Sequence, residues 1–453
     1  MNLIRSLWIA LIVSMFCAIA TPEASAFCGF YVAKADAQLY NQASQVAIAR
    51  SGSQTVLTMA NDYQGEVRDF AMVVPVPVVL QPDQVQVAEP SIMARLDAFS
   101  APRLVEYFDP DPCAPPDFEI WDRSSAAAPL AEAPVQKSSS RALGVTVESQ
   151  FSVGEYEIVV LSARESHGLA TWLRQNGYRM PAGADRLLQP YIRQNLKFFV
   201  AKVNLEEYES SGFQALRPLQ IQYESPRFML PIRLGMLNAT AAQDLIVYIL
   251  SPEGQAEVTN YRTVKIPSDA ELPLFVQDEF SGFYKAMFGK AYEREGRNVA
   301  FLEYAWDMAG CDPCSAEPLT PAELRQAGVF WLPNPNRAPD WSRPTSVFLT
   351  RLHIRYSRDR FPEDLSFQQT GNRSFFQGRY VLRHPFTETT ETARCPAGRQ
   401  YQRELPRRFE QQAQTLAQLT GWQLSDIRRR LPSIQITPIS LWQRLWTAVW
   451  GLG

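Results

Sequence analysis

Histidine is scarce in this chain: three residues in 453. That leaves little for proton transfer near neutral pH, and His167, His353 and His384 fall into no recognisable catalytic triad. The chain also has no G-x-S-x-G elbow, no H-E-x-x-H pair and no phosphate-cradling glycine loop. Beyond the N-terminus, no run approaches the roughly 20 apolar residues that a membrane-spanning helix needs, so the body is expected to be soluble. Lysine is absent after Trp341. From there to the end stand 17 arginines and 8 acids, a balance of +9, against −12 for the rest of a chain whose net charge is −3. Such a split points either to an anionic partner or, as we favour, to arginines pairing with acids across an interface within the fold. No nucleic-acid partner, cofactor or bound metal is expected.

The N-terminus is well supplied. Arg5 gives a positive start, Leu7 to Ala20 is apolar apart from Ser14, and Ala24-Ser25-Ala26 places small residues at the −1 and −3 positions of a cleavage site. Residues 1–26 therefore read as a secretory signal, with the mature chain starting at Phe27-Cys28 and working outside the cytoplasm, in the periplasm or cell envelope. The remaining 427 residues exceed one ordinary core.

Period-two alternation marks strands. Val46–Arg50 and Thr55–Asn61 flank Ser51-Gly52-Ser53, a hairpin signal. Phe70–Val79 is strand-like, although Pro75 and Pro77 each remove a donor and confine it to an edge or end its pairing. Further strands are expected at Glu155–Leu161, Lys197–Leu205, Leu219–Tyr223, Leu245–Leu250, Val258–Ile266, Val347–Tyr356 and Phe375–Leu382. In Val347–Tyr356, the residues Phe348, Leu352, Ile354 and Tyr356 share one face and Arg351, His353 and Arg355 the other, the pattern of a half-buried strand. Helices are expected from a Ser166 cap to Asn176-Gly177, from Asp185 to Asn195 with a bend at Pro190, and from Leu405 to Leu419, stopped by Gly421. The expected fold is strand-rich α+β, mainly antiparallel sheets with scattered helices in more than one domain. The segments are a β-rich 27–123, a linker 124–140 (small, polar and proline-punctuated), α+β segments 141–275 and 276–435, and a tryptophan-rich tail 436–453.

Five cysteines survive signal removal: Cys28, Cys113, Cys311, Cys314 and Cys395. In an oxidising compartment most should pair, and the odd number leaves one over. Cys311-Asp312-Pro313-Cys314 is the sharpest local motif. It reads first as a structural bridge, then as an exchangeable dithiol, and least as half of a zinc site completed by Cys395 and His384. The expected strand Phe301–Asp307 precedes it, but the next helix starts only near Pro321, so no helix dipole would activate a thiol there. Asp109 and Asp111, beside Cys113, are either a calcium pair or, as we favour, a rigid turn. In the tail, Trp442, Trp446 and Trp450 recur every four residues. Such a helix either docks on the body or lies on a bilayer surface as a peripheral contact.

Several strings together resemble one family: FCGFY (27–31), TVLTMAND (55–62), VVPVPV (73–78), RLVEYFDPDPC (103–113), WLRQNGYRMP (172–181), CDPCS (311–315) and RYVLRHP (379–385). The chain is similar to the bacterial proteins grouped as domain of unknown function 2330, over Cys28 to about Trp422. The resemblance implies an exported bacterial protein in which CDPC and FDPDPC belong to the family pattern, and it carries no catalytic residue. Some members end in a hydrophobic anchor, of which the tryptophan tail would be a shortened counterpart. The expected function is a non-enzymatic binding or structural role in the envelope. The alternatives are a thiol-redox protein using Cys311 and Cys314, or an envelope hydrolase of unrecognised type.

Overall fold

A computed structural model describes residues 30–31, 40–41, 44–60, 63–64, 71–114, 145–176, 184–211, 216–237, 242–310, 316–333, 346–387 and 395–432. Residues 1–26, expected to be a signal, Cys28, the expected linker 124–140, Cys311, Cys314 and the three tail tryptophans lie outside the described residues.

The strand-rich α+β expectation holds. The largest sheet has nine strands. Eight run in the order Arg262–Lys265, Val299–Asp307, Phe348–Tyr356, Gln243–Ser251, Ser44–Ser51, Gln54–Ala60, Leu219–Glu224 and Val85–Val87, and Phe376–Gln377 pairs with Val299–Asp307. All neighbours are antiparallel except Arg262–Lys265 with Val299–Asp307 and Gln243–Ser251 with Ser44–Ser51. This sheet draws strands from each of the segments 27–123, 141–275 and 276–435, so those segments share a core. A second, five-stranded antiparallel sheet orders Phe30–Tyr31, Ala71–Val76, Lys197–Val203, Tyr156–Ala163 and Val145–Val153.

Alternation along these strands explains the layering. Val46, Ile48, Leu57 and Met59 of the large sheet share one buried cluster with Met72, Val74, Ile158, Val160 and Phe199 of the small one, so the two sheets pack face to face. The outer face of the small sheet is closed by helices Ser166–Gln175 and Ala184–Arg193, through Leu169, Leu173, Leu188 and Tyr191. The outer face of the large sheet is closed in two places. Helix Pro90–Ser100 covers Ala47, Ala49, Tyr248 and Leu250, and helix Phe280–Arg294 covers Val299 and Phe301. The order of layers is helix, sheet, sheet, helix.

The hairpin forms as its turn residues dictate. Ser51 pairs with Gln54, and Gly52 takes φ 57° at the first central position, a conformation that a side chain would disfavour. Among the described residues Pro75 pairs with Phe198 of Lys197–Val203, the short strand Phe30–Tyr31 lies opposite Met72 and Val73, and the strand ends before Pro77. Three expectations need correction. Val258–Ile266 is two strands, Ala256–Val258 and Arg262–Lys265, in different sheets. Phe375–Leu382 likewise divides at Gly378 into Phe376–Gln377 and Arg379–His384. Ser166 is not the cap of its helix; that position is Glu165, and the Ser166 hydroxyl donates to Gln189 Oε1 at 2.8 Å.

A parallel three-stranded sheet, Ala270–Leu272, Arg379–His384 and Arg103–Phe108, departs from the antiparallel pattern. Its Tyr380 and Leu382 pack with Leu416 of the long helix Pro396–Thr420. That helix is longer than its apolar stripe suggests, begins ahead of Pro406, and ends at Gly421, where φ is 77°. Cys395, at its N-terminal cap, is bonded to Cys113, with Cα atoms 5.8 Å apart and a sequence separation of 282. No helix among the described residues is long and apolar enough to cross a membrane.

Candidate functional site

The strand Phe348–Tyr356 is central, not peripheral, and both of its faces are covered. Arg351 and His353, expected to face water, are buried beneath helices Pro90–Ser100 and Phe280–Arg294. A cation can persist there only beside anions and with its hydrogen bonds met, and three carboxylates from distant parts of the chain provide both.

Glu303 is the centre. In the strand Val299–Asp307, Leu302 pairs with Leu352 and Tyr304 with Arg351, so Glu303 is an extra residue in the register. Such a bulge turns consecutive side chains to one face. Here it aims Glu303 and Tyr304 together at the helix layer, while the Glu303 carbonyl accepts from the Gly378 N–H at 2.7 Å. The carboxylate is wholly buried and receives three donors: Arg351 Nε at 2.6 Å on Oε2, His353 at 2.8 Å on Oε1, and the Tyr284 hydroxyl on Oε1.

From this centre the network runs both ways. Toward helix Pro90–Ser100, Arg351 Nη1 donates to Asp97 Oδ1 at 2.6 Å, and the Tyr248 hydroxyl donates to the same oxygen at 2.9 Å. In the other direction, His353 Nε2 lies 3.3 Å from Asp244 Oδ1, and Arg355 grips Asp244 with two bonds of 2.7 Å. The imidazole is stacked on Phe288, ring centres 3.8 Å apart. Arg355 lies over the same ring.

These contacts set the ionisation states. Burial pushes the Glu303 carboxyl up, but His353, Arg351 and the Tyr284 hydroxyl outweigh it and hold the group down at about 2. Burial likewise opposes charge on Asp244, and the bonds from His353 and Arg355 overcome it, placing that carboxyl well below the usual range. For His353, burial favours the neutral ring, yet Glu303 and Asp244 prevail and raise its pKa. The geometry agrees, because a ring flanked by two carboxylates needs a proton on each nitrogen. Burial, only partly offset by Arg351, pushes the Tyr248 hydroxyl up, and burial with Glu303 does the same for Tyr284. With His353 charged, three cations (Arg351, His353, Arg355) balance three anions (Asp97, Glu303, Asp244).

Chemically, this arrangement holds protons in place. The imidazole faces carboxylates on both edges and Phe288 on one side, so no lone pair is available to act as a base.

The other sequence candidates lie elsewhere. His167 sits in the first turn of Ser166–Gln175. His384 lies 2.7 Å from Glu106 and is stacked on the exposed Phe108. Asp109 accepts from Tyr401 and Arg408, both at 2.6 Å, and Asp111 accepts from the Cys113 N–H at 2.8 Å, the bonding of a turn. No metal-ligating cluster of His, Cys, Asp and Glu is gathered among the described residues. Of the five cysteines, Cys113 and Cys395 are brought together, which removes Cys395 from the zinc alternative for Cys311 and Cys314. The C-terminal arginines reach back to earlier acids, as Arg351 does to Asp97, Arg355 to Asp244, Arg373 to Asp307, Arg379 to Asp269 and Arg430 to Glu279. Asp97, Asp244, Tyr248, Tyr284 and Glu303 were not singled out from sequence. The available signal was one acid inside the otherwise apolar run VAFLEYAW (299–306).

The chain belongs to the family of uncharacterised proteins conserved in bacteria known as DUF2330, whose profile matches residues 22–368. The match stops short of Trp422, so the string RYVLRHP lies beyond it. No curated protein and no solved structure matches the chain.

Proposed function

From that membership we propose that the chain is an exported, disulfide-stabilised protein of the bacterial cell envelope with a binding or structural role, not a catalytic one. The observation that carries the non-catalytic reading is the pairing within the buried cluster. Glu303, Asp244, Arg351, His353 and Arg355 are each engaged by opposite charge, and the one buried histidine is clamped from both edges. An active site keeps at least one such group poised to react; this cluster holds the large sheet to its helices. Support for the compartment comes from Cys113–Cys395, since bridges of this kind persist where the surroundings are oxidising, and from the cleavage motif at Ala24-Ser25-Ala26.

Fractionation of bacteria producing the full chain tests the proposal. The expected product is extracytoplasmic, starts at Phe27 by intact mass and carries Cys113 linked to Cys395. A reduced, full-length cytoplasmic product overturns the location. The non-catalytic reading expects His353→Gln to lower stability while a panel of esters, peptides, glycosides and disulfides shows no turnover with either protein. Turnover that the substitution abolishes would overturn it.

A further inference from the structure

A cleft of about 370 Å³ opens beside helix Pro90–Ser100. Among the described residues its walls are mostly apolar, Ala60, Met93, Leu216 and Pro218 among them, and only Asp97 and Gln45 bring polar side chains. Asp97 is the one member of the ion cluster that reaches this cleft, and its side chain is 41% exposed. Its Oδ1 already accepts from Arg351 and Tyr248, whereas no donor among the described residues reaches Oδ2. Arg351, moreover, divides its charge between Asp97 and Glu303. The cleft thus has an apolar wall, an amide and an acceptor oxygen held in fixed orientation by the network behind it.

Those features select a ligand class. A calcium ion takes six to eight oxygens, and one carboxylate with one amide falls far short. An anion would face Asp97. An organic ammonium fits: it donates to Asp97 Oδ2 and to the Gln45 carbonyl, while a short hydrocarbon body replaces water on the apolar wall. The volume, near the lower end of the roughly 300–1,000 Å³ usual for small-molecule sites, has room for such a head and body. We infer that this cleft binds the ammonium head and short apolar body of a small amine, either free or carried on a peptide as a lysine side chain.

This deepens the binding half of the proposed function. An exported, bridged chain that ignores amines would overturn this inference alone, and a reduced cytoplasmic chain that binds them would overturn the earlier reading alone. Calorimetric titration of the mature chain uses n-hexylammonium, n-hexanol and N-acetyl-lysine methylamide as probes. Hexylammonium should bind saturably and hexanol at least about tenfold more weakly, in line with a charge-assisted hydrogen bond. Asp97→Asn should erase that preference. Because Asp97 also holds Arg351, Ala94→Trp is the companion variant; it fills the cleft from an exposed helix position and should abolish binding with the melting temperature unchanged. Uptake of the lysine derivative as well assigns the amine to a peptide, and its exclusion assigns a free amine. Equal binding of hexanol and hexylammonium, binding unaltered by both substitutions, or no saturable binding at all would each sink the inference.

Discussion

Glu303 Oε1 and His353 Nδ1 meet at 2.8 Å on adjacent strands, deep in the interface between the large sheet and its covering helices. The contact joins two groups displaced in opposite directions: the carboxyl is held at about 2 and the imidazole is raised. Each displacement is a stability that depends on pH. Glu303 contributes fully above its unfolded value of about 4.3 and loses its contribution as pH falls through about 2. His353 contributes fully below its unfolded value of about 6.5 and loses its contribution as pH rises through its higher folded value. Urea unfolding across pH should therefore show a plateau between about 4.5 and 6.5, with decline on both sides. In His353→Asn the alkaline decline should flatten. An unchanged alkaline limb in that variant would show that His353 is not charged in the native protein.

Much of the framework of this site was legible in the sequence, and its environment was not. Alternation in Val347–Tyr356 correctly separates Leu352 and Ile354 from Arg351, His353 and Arg355. Polarity on one face reads as exposure, because a strand pattern reports which side chains share a face and nothing about what covers it. The covering residues come from positions 97, 284 and 288, and the anions from 97, 244 and 303. No local period links such positions. The bulge at Glu303 is equally silent, since its effect is a register shift against a partner some 48 residues away. Hairpin and helix stops fared better, because Gly52 and Gly421 act through their own backbone. Val258–Ile266 was misread for a related reason: an apolar run that changes sheets midway looks the same as one that does not.

Removing the carboxylate should be costly. Glu303→Gln leaves Arg351 and His353 buried with their central anion gone, and breaking such a pair typically costs about 3–5 kcal/mol. Chemical denaturation of the single variant should show a loss in that range. Adding Arg351→Met should recover part of it, since the second change removes the stranded cation and substitutes an unbranched apolar side chain. Strictly additive losses would mean that the two side chains act independently, against their 2.6 Å contact.

A surface role for the tail makes a separate prediction. If Trp442, Trp446 and Trp450 lie in a bilayer interface, the mature chain should co-sediment with vesicles containing anionic lipid, and a chain ending at residue 435 should not. Tryptophan fluorescence of the longer chain should shift to shorter wavelength on adding vesicles. Equal sedimentation of both chains rules out the tail as the contact.

The cysteine inventory gives the sharpest chemical test. Cys113–Cys395 ties the strand Arg103–Phe108 to the start of the long helix and closes a loop of 282 residues. In the chain-entropy picture so long a loop is worth on the order of 5 kcal/mol as an upper figure. Cys113→Ser should therefore destabilise the protein by about 2–5 kcal/mol. With that bridge formed and residues 1–26 removed as proposed, Cys28, Cys311 and Cys314 are left. A structural bridge between Cys311 and Cys314 then makes Cys28 the odd thiol. Alkylation of the denatured, unreduced protein should label Cys28 alone, and digestion should yield two linked pairs. Labelling of Cys311 and Cys314 in the isolated protein would revive the exchangeable-dithiol alternative. Their reduction potential would then decide between an idle pair and a working one, because a dithiol poised near its surroundings exchanges and one far below them does not.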